Sequence, residues 1–291
     1  MLLNCYYYAP HNHSLLARHL QADLEHMVEL GCDIVSICVQ EDQLTNWHQR
    51  RLRNVVDLAH QVGLKVHAVP NRWCGLLAGW LDGFSRWTLE HAQTWYPDHP
   101  GVSDPRHPAV RAHFEKHLRT LVDFGFDGVI WDEPRTNKPE VIAFLDDMAA
   151  HAKSFRSDLV VSLFAEAGRL DTVDQYVATR HIDFLGADGH VRDEDHVMHR
   201  MKNTIFTTHA AFHPALKSAG KKTVFLLEAQ RHRDEDLLAY LAAMERAFML
   251  PMEQLMFYYS AHEMSLESED RFNEATWTLV RRLRSAATAA R

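Results

Sequence analysis

The sequence predicts a (β/α)8 TIM barrel that fills residues 1–291 as a single domain. Short β-branched or aromatic runs alternate with longer helical patterns eight times along the chain, the rhythm of parallel strands joined by crossover helices. No linker or low-complexity stretch divides that rhythm. A doubly wound open sheet is the runner-up. It loses support because no Gly-rich phosphate fingerprint follows the first strand. The glycines of "GLLAGWLDG" (75–83) have the wrong spacing.

The elements follow in order. The first strand is Leu2 to Ala9. A helix follows, with apolar Leu16, Leu20, Leu24, Met27 and Val28 on one face and Gly31 as its stop. Asp33 to Gln40 is the second strand, and Thr45 to Val62 the second helix. Lys65 to Asn71 is the third strand, followed by a long Trp-rich loop insertion over 72–105. Pro108 suits the first turn of the third helix, which ends at Gly125. The fourth strand is "GVIWD" (128–132), and its helix runs from Pro139 to Phe155. Leu159 to Glu166 and Ile182 to Asp188 are the fifth and sixth strands, with a helix over Leu170 to Thr179 between them. Glu194 to Ala219 reads as helical with a break near Pro214. Thr223 to Gln230 is the seventh strand and 234–250 its helix. Gln254 to His262 is the eighth strand, and a last helix covers Phe272 to Ala286.

Composition narrows the function classes. The net charge of −8, with no Lys/Arg block, argues against nucleic acid or an anionic membrane as partner. No apolar run approaches the ~20 residues of a membrane helix. The N-terminus lacks the basic and apolar regions of a signal peptide. Cys5, Cys32, Cys38 and Cys74 fit no zinc spacing and read as reduced, buried thiols, so a cytoplasmic protein is expected. Self-association into a homo-oligomer is left open.

In such barrels the active site forms at the C-terminal ends of the strands. There the sequence supplies Tyr8, His11 and His13, then Asn71, Arg72 and Trp73. Asp132, Glu133 and Arg135 follow the fourth strand. Glu166, Asp188, His190, Glu228 and Tyr259 complete the set. Side chains alternate along a strand, so Trp131 facing the helices turns Ile130 and Asp132 to the barrel axis. Val224, Leu226 and Glu228 share one face of the seventh strand. Acids at strand ends are also common helix N-caps, and "DEP" would serve to start a helix. The weight lies in the set: acids end the fourth, fifth, sixth and seventh strands. Opposed carboxylates in a polar mouth are what glycosidic cleavage needs, one as acid and one as nucleophile or base.

This pattern resembles the (β/α)8-barrel glycoside hydrolases of clan A. The resemblance implies Glu133 of "WDEP" as the acid/base and Glu228 of "FLLEA" as the nucleophile of a retaining hydrolase. That clan usually has Asn before the fourth-strand Glu; here it is Asp132. An Asp–Glu pair is also similar to barrel β-N-acetylhexosaminidases, where the substrate's acetamido group is the nucleophile and the Asp orients it. "SDPRHPAVR" with "FDGVIWD" looks like α-glycosidase-type barrels, which would pair Asp132 with Asp188. All three imply a carbohydrate substrate and no cofactor.

The aromatic supply agrees, since sugar C–H faces stack on aromatic rings. Trp80 and Trp87 read equally well as one apolar helix face. Two alternatives stand beside this reading. His11 and His13 resemble the HxH opening of metal-dependent amidohydrolase barrels, although the fifth and eighth strands lack that family's ligands. No catalytic metal is therefore expected. A non-catalytic carbohydrate-binding barrel would need hydrogen-bond partners but not several opposed acids.

Overall fold

A computed structural model describes residues 1–7, 17–44, 48–71, 73–77, 86–134, 138–166, 169–189, 204–227, 237–260 and 266–289. Eight strands close into a parallel barrel: β1 (Leu2–Tyr7), β2 (Ile34–Gln40), β3 (Lys65–Asn71), β6 (Gly128–Asp132), β7 (Val160–Ala165), β8 (Phe184–Gly189), β9 (Lys222–Leu227) and β10 (Gln254–Tyr258). They neighbour one another in chain order, and β10 closes on β1. The helices are α1 (Ala17–Glu29), α2 (His48–Gln61), α3 (Arg86–Glu90), α4 (Pro108–Asp123), α5 (Pro139–Phe155), α6 (Val173–Val177), α7 (Ile205–Ser218), α8 (Leu237–Phe248) and α9 (Leu266–Ala289). The predicted (β/α)8 fold is the one observed.

The barrel strands are buried on both faces, which is why they read as near-continuous apolar runs. Trp131 of β6 points outward to Phe114 of α4, their ring centroids 6.3 Å apart. Ile130 and Asp132 therefore face the axis. Phe225 of β9 lies 4.9 Å from His209 of α7, which turns Val224 and Leu226 inward. α4 starts as the sequence predicts, with Pro108 in its first turn and His107 accepting from the Ala109 amide.

Two segments differ from expectation. The 72–105 insertion carries α3 and an antiparallel pair, β4 (Trp95–Tyr96) with β5 (His99–Ser103). A two-residue strand leaves no periodicity to read. Trp87 packs on His91 and His113 as structure, and Trp80 lies outside the described residues. α7 also passes through Pro214 without a break. Proline forfeits one helical hydrogen bond. Packing of His209, Phe212 and Leu216 against the barrel holds the helix together.

The N-terminal end of the barrel is fastened by a device repeated four times. Asp33 accepts the Leu3 amide at 2.8 Å, and Asp127 the Val66 amide at 2.9 Å. Asp183 accepts the Val161 amide at 2.8 Å, and Glu253 the Thr223 amide at 2.7 Å. Each acid sits just before β2, β6, β8 or β10 and grips the strand preceding it in the barrel. Each also meets a cation: Arg284, Arg156, Lys153 and Lys217 respectively. A cavity of about 270 Å3 opens at this end, beside Asp127, Arg156, His67 and Gln254. Burial holds the His67 imidazole down at about 4, so it is neutral there.

Burial would raise the Asp127 carboxyl. The Val66 amide and the His60 and Lys65 side chains outweigh it and hold the group at about 2. Glu253 is likewise held at about 2, against burial, by Lys217 and Thr223. A carboxyl depressed on folding stabilises the protein above its unfolded pKa, and that stabilisation is lost as pH falls through the folded value. Unfolding free energy is thus expected to drop between pH ~4.5 and ~2. Asp127→Ala should lose about 3 kcal/mol at neutral pH and flatten this acid limb. Urea melts across pH read both effects.

Candidate active site

Asp132 ends β6 with 9% of its surface exposed and faces the barrel interior. The Tyr6 hydroxyl donates to its Oδ2 at 3.2 Å and also lies 3.2 Å from Cys38 Sγ. Burial, then Cys38 and Asp132, push the Tyr6 phenol well above its usual range, so it stays a donor. Tyr258 of β10 packs on it, with ring centroids 5.0 Å apart.

Glu133 is the first residue beyond the strand. Its amide still donates to the Phe164 carbonyl of β7, at 3.1 Å. Its φ of 40° then turns the chain into the left-handed region, uncommon for any residue but glycine. The side chain is half-buried, whereas Asp132 and the following Pro134 are buried.

Asp188, on β8, is 2% exposed. Glycines on either side let its strand run close to its neighbours. A Cβ at Gly186 would collide with the Val224 carbonyl oxygen, and one at Gly189 with the Ile205 backbone. Asp132, Glu133 and Asp188 each bring a carboxylate oxygen within 4.8 Å of the others. Their strand-end positions place all three at the mouth, and the fold brings their oxygens together.

Tyr176 of α6 adds a second phenol. It is fully buried, and its hydroxyl has no hydrogen-bond partner. Burial first, then the charges of Asp188 and Glu133, push its pKa well above 10. Its place on a short helix gave the sequence no reason to assign it here. Alternation along β10 sets Tyr258 on the same face as Gln254 and Met256.

Asn71 ends β3 at 3% exposure, its Oδ1 without a partner. β3 pairs with β6 through His67 with Gly128, and extending that register by four residues sets Asn71 level with Asp132. Glu166 follows β7, half-buried and close enough to Arg169 to raise that guanidinium, after its pairing with Asp171.

Two expected sugar-lining residues lie elsewhere. Trp73 is fully buried against His113, Phe114 and His117, and its indole N–H donates to Val39 O at 3.3 Å. The chain has left β3 at this point, so strand alternation no longer aims it. Tyr259 stacks on Trp277, and its hydroxyl lies 3.0 Å from His26 Nδ1. Tyr258 faces inward, so the next residue must face the helices. Tyr8, His11, His13, Arg72, Arg135, His190 and Glu228 lie outside the described residues.

The positive φ of Glu133 costs about 1 kcal/mol relative to glycine. Glu133→Gly is expected to raise unfolding free energy by about 1 kcal/mol over Glu133→Ala. Both variants remove the charge, so chemical denaturation of the pair isolates the backbone effect.

No protein-family model matches the chain, and no curated protein does. Solved structures do. GH5_18 from Streptomyces cattleya, determined with GlcNAc, superposes with a TM-score of 0.67 at 16% identity, over 97% of this chain and 80% of that one. The GH113 β-mannanase of Alicyclobacillus acidocaldarius gives 0.59 at 13%, over 98% and 96%. The cyclic α-maltosyl-(1→6)-maltose hydrolase of Arthrobacter globiformis gives 0.57 at 14%, over 90% and 73%. At these identities the likeness is one of fold: the chain shares the (β/α)8 barrel with these proteins.

Proposed function

We propose that the protein is a glycoside hydrolase that cleaves an O-glycosidic bond by carboxylate acid/base catalysis. The observation that carries this reading is the group of Asp132, Glu133 and Asp188, whose oxygens lie within 4.8 Å of one another at the C-terminal mouth. Carboxylates this close can divide the acid and base roles that glycosidic cleavage needs. Half-exposed Glu133 is the acid/base. Buried Asp132, held by Tyr6, orients the sugar near its 2-position. Glu228 is the nucleophile of a retaining mechanism, and the inward turn of Val224 and Leu226 supports its placement. Asn71, Glu166 and Asp188 serve as hydroxyl partners. The carbohydrate-acting names among the structural neighbours support the same substrate class.

The adjacency of Asp132 and Glu133 also favours a second reading, in which a substrate acetamido group replaces Glu228 as nucleophile. The four free, buried cysteines support a reducing, cytoplasmic setting. Among the described residues no helix is long and apolar enough to cross a membrane.

Aryl glycosides of several sugars, including N-acetylglucosamine, test the assignment. Glu133→Gln should lower kcat by about 10^3 while sugar binding persists. Unchanged turnover in that variant removes Glu133 from the mechanism. Glu228→Gln should fall comparably in the retaining mechanism, with activity restored by azide. Retention of activity in Glu228→Gln on the N-acetylglucosaminide alone selects substrate assistance.

A further inference from the structure

A second cluster lies outside the barrel wall. Glu41 follows β2 in a 3-10 turn, Cys74 lies in the turn after β3, and His113 is on the inner face of α4. All three are buried, and a carboxylate oxygen, the Sγ and an imidazole nitrogen lie within 4.8 Å of one another. Glu41 Oε1 accepts the Cys74 amide at 3.1 Å and lies 3.2 Å from His113 Nε2. Its other oxygen, Oε2, is buried and has no hydrogen-bond partner, on a side chain only 7% exposed. A carboxylate oxygen left bare in the interior carries a desolvation cost that a cation would offset.

From this geometry we infer a binding site for a zinc-type divalent cation, ligated by Glu41, Cys74 and His113. One sulfur, one imidazole and one carboxylate suit zinc and exclude the all-oxygen preference of magnesium and calcium. The turn that presents Cys74 is fixed before any ion arrives. Cys74 holds a φ of 55°, its carbonyl accepts the Ser103 amide at 2.9 Å, and a Cβ on Gly75 would collide with the Gly101 carbonyl. His117 stands one turn further along α4, its ring centroid 4.3 Å from that of His113. Its Nδ1 is buried without a partner, and it stands outside the three-residue group. Trp73 and Trp87 pack beside His113 and dry the site. The ion ties the 72–105 insertion to the end of β2 and to α4. Its role is structural and independent of the glycosidase reading.

Zinc competition against a chromogenic chelator, on the full chain, tests the site. The wild-type protein should bind about one Zn2+ per chain, and Co2+ in its place should show a thiolate-to-metal charge-transfer band. Cys74→Ser should abolish that band, and Cys74→Ser and His113→Gln should each weaken Zn2+ binding by at least ~100-fold. A wild-type protein that binds no Zn2+, or Co2+ without the thiolate band, overturns the proposal. So does undiminished Zn2+ binding in both variants, which would place the ion elsewhere. If Cys74→Ser fails to fold, the wild-type cobalt spectrum decides, because the other cysteines, Cys5, Cys32 and Cys38, are outside the cluster.

Discussion

The structure depends on four carboxylates at the feet of the barrel strands. Asp33, Asp127, Asp183 and Glu253 each accept the amide of the strand before them, and so lock β1 to β2, β3 to β6, β7 to β8 and β9 to β10. Register is the variable these contacts settle. A slip of one residue would turn every inward side chain outward. Five residues above each foot acid stands Cys38, Asp132, Asp188 or Tyr258. The odd interval reverses the face: the foot acid turns to its neighbour and the residue above it turns inward. Strands this short carry the foot's position to the mouth, at about 3.3 Å per residue.

The mouth gathers acids rather than spacing them one to a strand pair. Each foot acid meets a cation and an amide that complement its charge. Asp132, Glu133 and Asp188 bring carboxylate oxygens within 4.8 Å of one another, with the phenols of Tyr6 and Tyr176 close by. The strained backbone at Glu133 costs stability. Backbone strain is held at the end of the barrel where chemistry is expected, while the other end is fastened by the foot acids. β6 is flanked by both kinds of acid, Asp127 just before it and Asp132 at its end.

Much of this was legible in the sequence. β3 and β6 were read to the residue, because "KVHAVPN" and "GVIWD" are bounded by polar turns, and Pro139 marked the approximate start of α5. The inward turn of Asp132 followed from alternation. Other features were hidden for physical reasons. Packing carried α7 through Pro214, which local propensity alone would not allow. Tyr259 and Trp73 lie just past their strands, where alternation or its absence sends them to the helix layer. Asp33 reads in the sequence only as the first residue of the second strand, because its partner is a backbone amide 30 residues away. Glu41, Cys74 and His113 come from three separate elements, and no spacing along the chain reveals their meeting.

The most direct test of the acid cluster is the position of a bound sugar in crystals of Glu133→Gln soaked with an aryl glycoside. The glycosidic oxygen is expected within hydrogen-bond distance of the residue-133 side chain, with sugar hydroxyls on Asp132 and Asp188. A sugar bound instead in the cavity beside His67 and Gln254, with the C-terminal mouth empty, would contradict the account.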